Sequence, residues 1–195
     1  MMDTVILFAR VPRLGTMKRR LAAGIGNRLA YKFHKQLLFQ LIRQLAHERR
    51  FQTVLALTPD RSRLRLPASL RRINQGHGDL GTRMERVFRK FRRGNVVLAG
   101  CDIPDMKMAD LVAASRALGS ANAVFGPATD GGYWLVGMSP NRPAQPFKNV
   151  RWSTKHALAD TRQNFKYRRV ALIRTLSDVD TEQDYHRQFK RSATG

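Results

Sequence analysis

Acidic residues are scarce in this 195-residue chain: 14 Asp and Glu stand against 36 Lys and Arg, a net charge of +22. Such a balance favours polyanions or small phosphorylated molecules as partners, and it bears on association rather than on fold. The cations are dispersed, in runs at residues 49–50, 61–72, 89–93 and 166–169. Few aromatics interleave with them and no nucleic-acid motif accompanies them, so nucleic acid is not the expected partner. A basic nucleic-acid-binding module is kept as the rival reading, and a solvated basic surface as the plain one. Cysteine is nearly missing: Cys101 stands alone and excludes an internal disulfide. No apolar run approaches the roughly 20 residues that a membrane helix needs. The apolar run near the amino terminus covers only residues 5–9 and leads into basic residues, so no signal peptide is expected and the cytoplasm is the expected location. The five histidines lack metal-ligand spacing. No Ser-His-Asp arrangement stands out, and the Gly-Lys-Ser/Thr ending of a Walker loop is absent.

Short apolar runs bounded by turn residues are present, and they alternate with helical patterns. Residues 4–9, 53–57, 72–75, 96–99, 121–125, 131–137 and 169–173 are predicted strands. Residues 27–48 form a predicted helix, with Leu29, Phe33, Leu37, Leu38, Leu41, Ile42 and Leu45 at three-and-four spacing and Asn27 as its cap. Further helices are predicted over 80–93, 107–118 and 181–189, and one capped by Ser153 runs to residue 165. Leu80, Met84, Val87, Phe88 and Phe91 share one face of the second helix. Residues 61–70 are predicted to be irregular. The alternation specifies an α/β protein, a three-layer sandwich on a mostly parallel sheet. No linker or repeat divides the chain, so a single domain over residues 1–195 is expected.

Ligands of open α/β sheets sit at the carboxyl ends of the strands. Four loops follow strands there, residues 10–20, 58–60, 101–105 and 126–130, and the polar residues of three of them suit a nucleotide and a metal. The first runs from Arg10 to Arg20. Gly15 permits close backbone approach to a phosphate, and Lys18 and Arg20 can neutralise one. In the third, at Gly100-Cys101-Asp102-Ile103-Pro104, an apolar strand delivers a carboxylate to the sheet edge. A hard divalent cation wants such an oxygen; a turn-forming aspartate is the other reading. Asp105 is expected to cap a helix, and Cys101 to be a small buried residue. Asp130-Gly131-Gly132-Tyr133 is either a hairpin turn or a backbone surface for a sugar or acceptor, with Asp130 as hydroxyl ligand or base. In the segment 178–184, Asp180 is equally a second metal carboxylate and a capping residue. Capping is preferred for Asp178 and Asp184. Trp152, Ser153 and Thr154 either line a pocket or join a core tryptophan to a helix cap.

These residues, taken in order, resemble the DUF2064 group of GT-A-type transferases, also called selenodomain-associated transferase 1. The family pattern Phe-Ala-Lys-x-Pro-x-Pro-Gly-x-x-Lys-Thr-Arg-Leu stands here as residues 8–21, Phe8 to Leu21. Further matches are residues 78–84, 100–104, 126–133, 152–154 and 178–181. Departures from the pattern include Leu14 for proline, Arg19 for threonine, and Thr82 and Thr129 where acids are expected. The resemblance implies a nucleotide-diphospho-sugar transferase fold, with molybdenum-cofactor and phospholactate guanylyltransferases as wider relatives. By it, Phe8, Ala9 and Arg10 meet the nucleotide, while Gly15, Lys18 and Arg20 hold its phosphates. Gly78, Asp79 and Arg83 border the nucleotide or sugar. Asp102 binds Mg²⁺ or Mn²⁺, joined by Asp180. Residues 130–133 (Asp130, Gly131, Gly132 and Tyr133) face the acceptor, with Trp152, Ser153 and Thr154 nearby.

The function expected is metal-dependent transfer from a nucleotide-activated donor, with Lys18, Arg20 and Asp130 taking part in catalysis. The substrates would be a nucleotide sugar or a nucleoside triphosphate and an acceptor of unknown identity. Glycosyl transfer leads; nucleotidyl transfer with release of pyrophosphate is the alternative. A homologue that has lost its acids and no longer turns over is a third reading.

Overall fold

The computed structural model describes residues 2–16 and 18–192. Met17 of the opening motif lies outside them. Seven strands form one sheet: β1 (Thr4–Arg10), β2 (Gln52–Thr58), β3 (Arg71–Asn74), β4 (Val96–Gly100), β5 (Ala123–Pro127), β6 (Tyr133–Met138) and β7 (Val170–Leu172). Their spatial order is β3-β2-β1-β4-β6-β5-β7. All pairings are parallel except those of β6, which runs antiparallel to β4 and to β5. The α/β sandwich expected from the alternation is therefore the observed fold.

Six helices are present among the described residues: α1 (Arg19–Ile25), α2 (Asn27–Ala46), α3 (Leu80–Arg89), α4 (Met108–Ala117), α5 (Ala157–Gln163) and α6 (Glu182–Ser192). None is long and apolar enough to cross a membrane.

Strand alternation builds two cores, one on each face of the sheet. Val5, Leu7 and Ala9 point with Leu55, Leu57, Val97 and Ala99 into the layer of α2 and α4, where Leu38, Leu41, Leu111 and Ala114 meet them. Ile6, Val54, Ala56, Val96 and Leu98 point into the opposite layer, against Met84, Val87 and Phe88 of α3 and Phe165 after α5. Both faces are covered, which is why the central strands read as continuous apolar runs rather than as polar–apolar alternation. A third, small cluster joins Leu21 of α1 and Ala30 of α2 to Val179, just before α6. Phe33 and Tyr185 pack edge to face beside it, at 5.2 Å between ring centroids.

The structure corrects several local expectations. The stretch through Arg20, expected to be loop, turns helical at Arg19. The helix expected over residues 80–93 ends at Arg89. Asp105 is not the cap of α4: its Oδ1 accepts from Gln188 Nε2 at 3.0 Å, while Lys107 takes the cap position and the Asp110 carboxylate accepts its amide at 2.7 Å. Nor does Ser153 cap α5. It sits at φ +59°, while the helix starts at Ala157 after a turn in which Thr154 Oγ1 accepts the His156 amide.

Candidate active site

A cleft of about 560 Å³ opens at the carboxyl edge of the sheet. It lies where β1, β2, β4 and β5 end and where antiparallel β6 begins, so Tyr133 enters it from the same edge as Arg10 and Asp102. Its centre is a cluster of charge. Lys18 Nζ lies 2.9 Å from Asp102 Oδ2, 2.6 Å from Asp180 Oδ1 and 3.8 Å from Asp178 Oδ2.

Local packing explains this convergence. Lys18 immediately precedes α1, in the left-handed backbone region at φ +46°. Leu21, three residues on, is fully buried against Val179. With Val179 turned inward, the flanking Asp178 and Asp180 both reach the Lys18 ammonium. The segment that carries them is held by Ala128, which forms a parallel bridge to Leu176, and by the Thr129 amide donating to Leu176 O at 3.2 Å. Asp102 follows β4 directly, and β4 pairs with β1 through Phe8 and Gly100. Thus β1, β4 and the segment leading to α6 each deliver one part.

The ammonium is the buried member, with a side chain 10% exposed. Burial works against its charge, yet Asp102 and Asp180 outweigh burial, and its pKa stands above the ordinary lysine value. Burial likewise opposes ionisation of Asp102, but Lys18 holds its carboxyl below the usual range. Asp178 lies farther from the ammonium. Burial and the neighbouring Asp180 charge push it up to about 6. Burial pushes the Cys101 thiol up to about 12, so this residue is an inert core thiol, as expected from its size.

The sequence-predicted residues fall into two groups. Phe8, Ala9, Arg10, Lys18, Arg83, Asp102, Asp130, Gly132, Tyr133, Trp152, Ser153, Thr154 and Asp180 all line the cleft. Gly15, Arg20, Gly78, Asp79 and Gly131 do not. Gly15 is at φ +77° with open space around it. Arg20 is an exposed residue of α1. Asp79 is the cap of α3, accepting the Thr82 amide at 2.7 Å, and Gly78 O accepts from Arg83 Nε. Gly131 is structural: at φ +87° it turns the β5–β6 hairpin, and a Cβ there would stand 2.2 Å from Lys155 O. The neighbouring Asp130 carboxylate accepts the Gly132 amide at 2.8 Å. Asp184 closes a reciprocal cap with Thr181, as expected.

Three cleft residues escaped sequence reasoning. Asp178 was expected to serve capping alone; the alternation Asp-Val-Asp around an apolar residue was the available signal that both acids face one way. His34, a buried residue of α2, lies 3.3 Å through Nε2 from Arg10 O, and burial lowers its pKa, leaving a neutral ring. Gln75 is 1% exposed and donates through Nε2 to Ala9 O at 3.1 Å and Ala56 O at 2.8 Å, tying the ends of β1 and β2 together. Neither residue carries a sequence signal, because only the folded sheet places those carbonyls side by side.

Among the described residues no group of three His, Cys, Asp or Glu side chains is arranged to hold a metal ion by itself. The donor set nevertheless suits a hard cation that keeps other oxygens in its shell. Two carboxylate oxygens already lie within 2.9 Å of one positive centre, the Lys18 nitrogen. Magnesium-like ions need only one or two protein carboxylates when phosphate oxygens complete the coordination.

Known proteins place this geometry in context. A protein of Desulfovibrio desulfuricans G20, provisionally named a nucleotide-diphospho-sugar transferase, has a crystal structure that matches with a TM-score of 0.89 at 25% identity, over 100% of this chain and 90% of its own. The 4-diphosphocytidyl-2C-methyl-D-erythritol synthase of Anaerococcus prevotii DSM 20548 matches at 0.61 and 9% identity, over 97% and 98%. Rv0371c of Mycobacterium tuberculosis H37Rv, solved with manganese, matches at 0.57 and 15% identity, over 97% and 99%. The last two show a shared fold alone. No curated protein matches the sequence. The model of the family described as uncharacterized proteins conserved in bacteria, DUF2064, matches residues 41–154, and this chain belongs to that family.

Proposed function

We propose that the chain is a single-domain, metal-dependent transferase that uses a nucleotide-activated donor, with glycosyl transfer from a nucleotide-diphospho-sugar as its reaction. The observation that carries this reading is the meeting of Asp102 and Asp180 on one cation at the floor of a cleft at the sheet's carboxyl edge. The likeness to a protein named for that activity supports it. So does the manganese found with a neighbour of the same fold.

Asp102 and Asp180 would hold Mg²⁺ or Mn²⁺, which supplies charge neutralisation to a diphosphate when bound. Lys18 then has a second task. With its carboxylate partners occupied, its ammonium is free to turn to diphosphate oxygens and stabilise the charge of the leaving group. Phe8, Ala9 and Arg10 offer the backbone and side chains of the β1 end to the nucleotide. Asp130, at the β5–β6 turn and lining the cleft, would accept a proton from the attacking hydroxyl. Arg20, Gly15, Gly78 and Asp79 lie outside the cleft lining and take no part in this scheme.

Nucleotidyl transfer is the second reading. A structure with this fold is a CMP:2-keto-3-deoxy-manno-octonic acid synthetase complexed with CTP, at a TM-score of 0.60 and 9% identity. The two reactions part on their products. Calorimetric titration of UDP, GDP and CDP and of UTP, GTP and CTP, with and without Mn²⁺, tests the common requirement, and product analysis then separates them. Nucleoside diphosphate as product supports glycosyl transfer; pyrophosphate supports nucleotidyl transfer. Absence of any Mn²⁺-dependent nucleotide binding would remove both.

A further inference from the structure

The cleft has two chemically different halves. Lys18 and the carboxylates make one. The other is apolar, built by Leu80 and Met84 of α3, Leu98 of β4, Tyr133 of β6, and Trp152. Leu80 shows the division most clearly. It continues the apolar face of α3, but it lies at the helix start, and it remains 43% exposed while lining the cleft.

This half is constructed, not incidental. The Trp152 indole rests on the first turn of α3, because residue 81 is glycine: a Cβ there would stand 2.8 Å from Trp152 Cζ2. Tyr133 at 6.3 Å and Phe147 at 6.1 Å between ring centroids fix the indole from two further sides. Two polar groups on this wall are engaged within the protein. The Tyr133 hydroxyl pairs with Thr161 Oγ1 at 3.4 Å, and Arg83 Nε donates to Gly78 O at 2.8 Å. Burial raises the Tyr133 pKa, so the phenol is neutral. A polyol pressed against this wall would surrender hydration and find few replacement hydrogen bonds. A flat apolar body would exchange water for aromatic and aliphatic contact.

We infer that this half of the cleft receives the acceptor, and that the acceptor is an aromatic or unsaturated alcohol whose apolar body lies against Leu80, Met84, Tyr133 and Trp152. The inference rests on the transferase reading above, since it assumes that the charged half takes the donor. A nucleotide base or a free sugar on the same wall are the competing occupants.

Calorimetric titration of the full chain with 2-naphthol, with glucose, and with UDP, GDP and CDP in the presence of Mn²⁺ tests it. We expect 2-naphthol to bind and glucose not to. We expect 2-naphthol affinity to be unchanged when the protein is saturated with whichever nucleoside diphosphate binds. Leu80→Gln alters an exposed side chain and should leave thermal unfolding unchanged. It should weaken 2-naphthol about fourfold, the effect of roughly one methylene of lost apolar contact, and leave nucleotide affinity as it was. Failure of 2-naphthol to bind, glucose binding as well as 2-naphthol, an unchanged 2-naphthol affinity in Leu80→Gln, or its displacement by nucleotide would each overturn the inference. In those cases Mn²⁺-dependent nucleotide binding would still stand for the transferase reading. Binding of 2-naphthol with no nucleotide binding at all would remove the acceptor role along with that reading.

Discussion

Lys18 Nζ and Asp180 Oδ1 lie 2.6 Å apart although 162 positions separate them in the chain. Asp102 closes on the same nitrogen at 2.9 Å. A lysine ammonium thus stands at the point where two carboxylates would hold a divalent ion. Lysine and metal are rivals for those oxygens.

Lys18→Met removes one rival. The carboxylates are 38% and 41% exposed, so solvent screens much of the pairing and the loss should be modest. We expect about 1 kcal/mol, or a fall in melting temperature of roughly 2–4 °C for a chain of this size. Millimolar Mn²⁺ should then stabilise the variant more than the parent, as read by differential scanning fluorimetry. A variant indifferent to Mn²⁺ would show that these carboxylates are not cation ligands.

Asp110 gives the pH dependence a clear sign. Burial pushes its carboxyl up, but Arg174, at 2.6 and 2.7 Å, and the Lys107 amide prevail and hold it below the usual carboxylate range. A depressed pKa stabilises the fold above the unfolded value near 4, and that stability is lost as pH falls through the folded value. Urea unfolding of the parent and of Asp110→Asn should therefore differ by about 1 kcal/mol at pH 7, and the difference should shrink steadily below pH 4. A gap that persists at pH 3 would assign the effect to packing instead of charge.

Gly131→Ala tests the hairpin that brings Asp130 to the cleft. The new Cβ would meet Lys155 O at 2.2 Å in a backbone region that side chains disfavour. Because the obstacle is main chain, the turn must move, at a cost of about 2 kcal/mol or more. Chemical denaturation measures it. A loss below about 0.5 kcal/mol would mean that the turn relaxes freely.

Much of this architecture is legible in the residues. The strands show because the two-sided sheet demands unbroken apolar runs, as at Val5 to Ala9 and Val96 to Ala99. Helix α2 shows because its buried residues recur at three-and-four spacing. Helix α1 does not: it has seven residues, two arginines in its first turn and one buried side chain, Leu21. The loops that line the cleft could be placed from their position after strands. Which of their residues turn inward could not. Asp79 and Asp130 look alike on paper, yet one caps α3 outside the cleft and the other lines it. Asp178 was missed for the same reason, since its role depends on the burial of Val179 beside it.

The small cluster of Leu21, Ala30 and Val179 sets an order of assembly. The lysine emerges from the ribosome early; Asp102 follows about midway along the 195 residues and Asp180 later still. Until residue 179 is made, Leu21 and Ala30 lack their buried partner, and of the two closest carboxylates the ammonium has only Asp102 for company. A nascent chain therefore carries all seven strands before it carries the whole charge cluster.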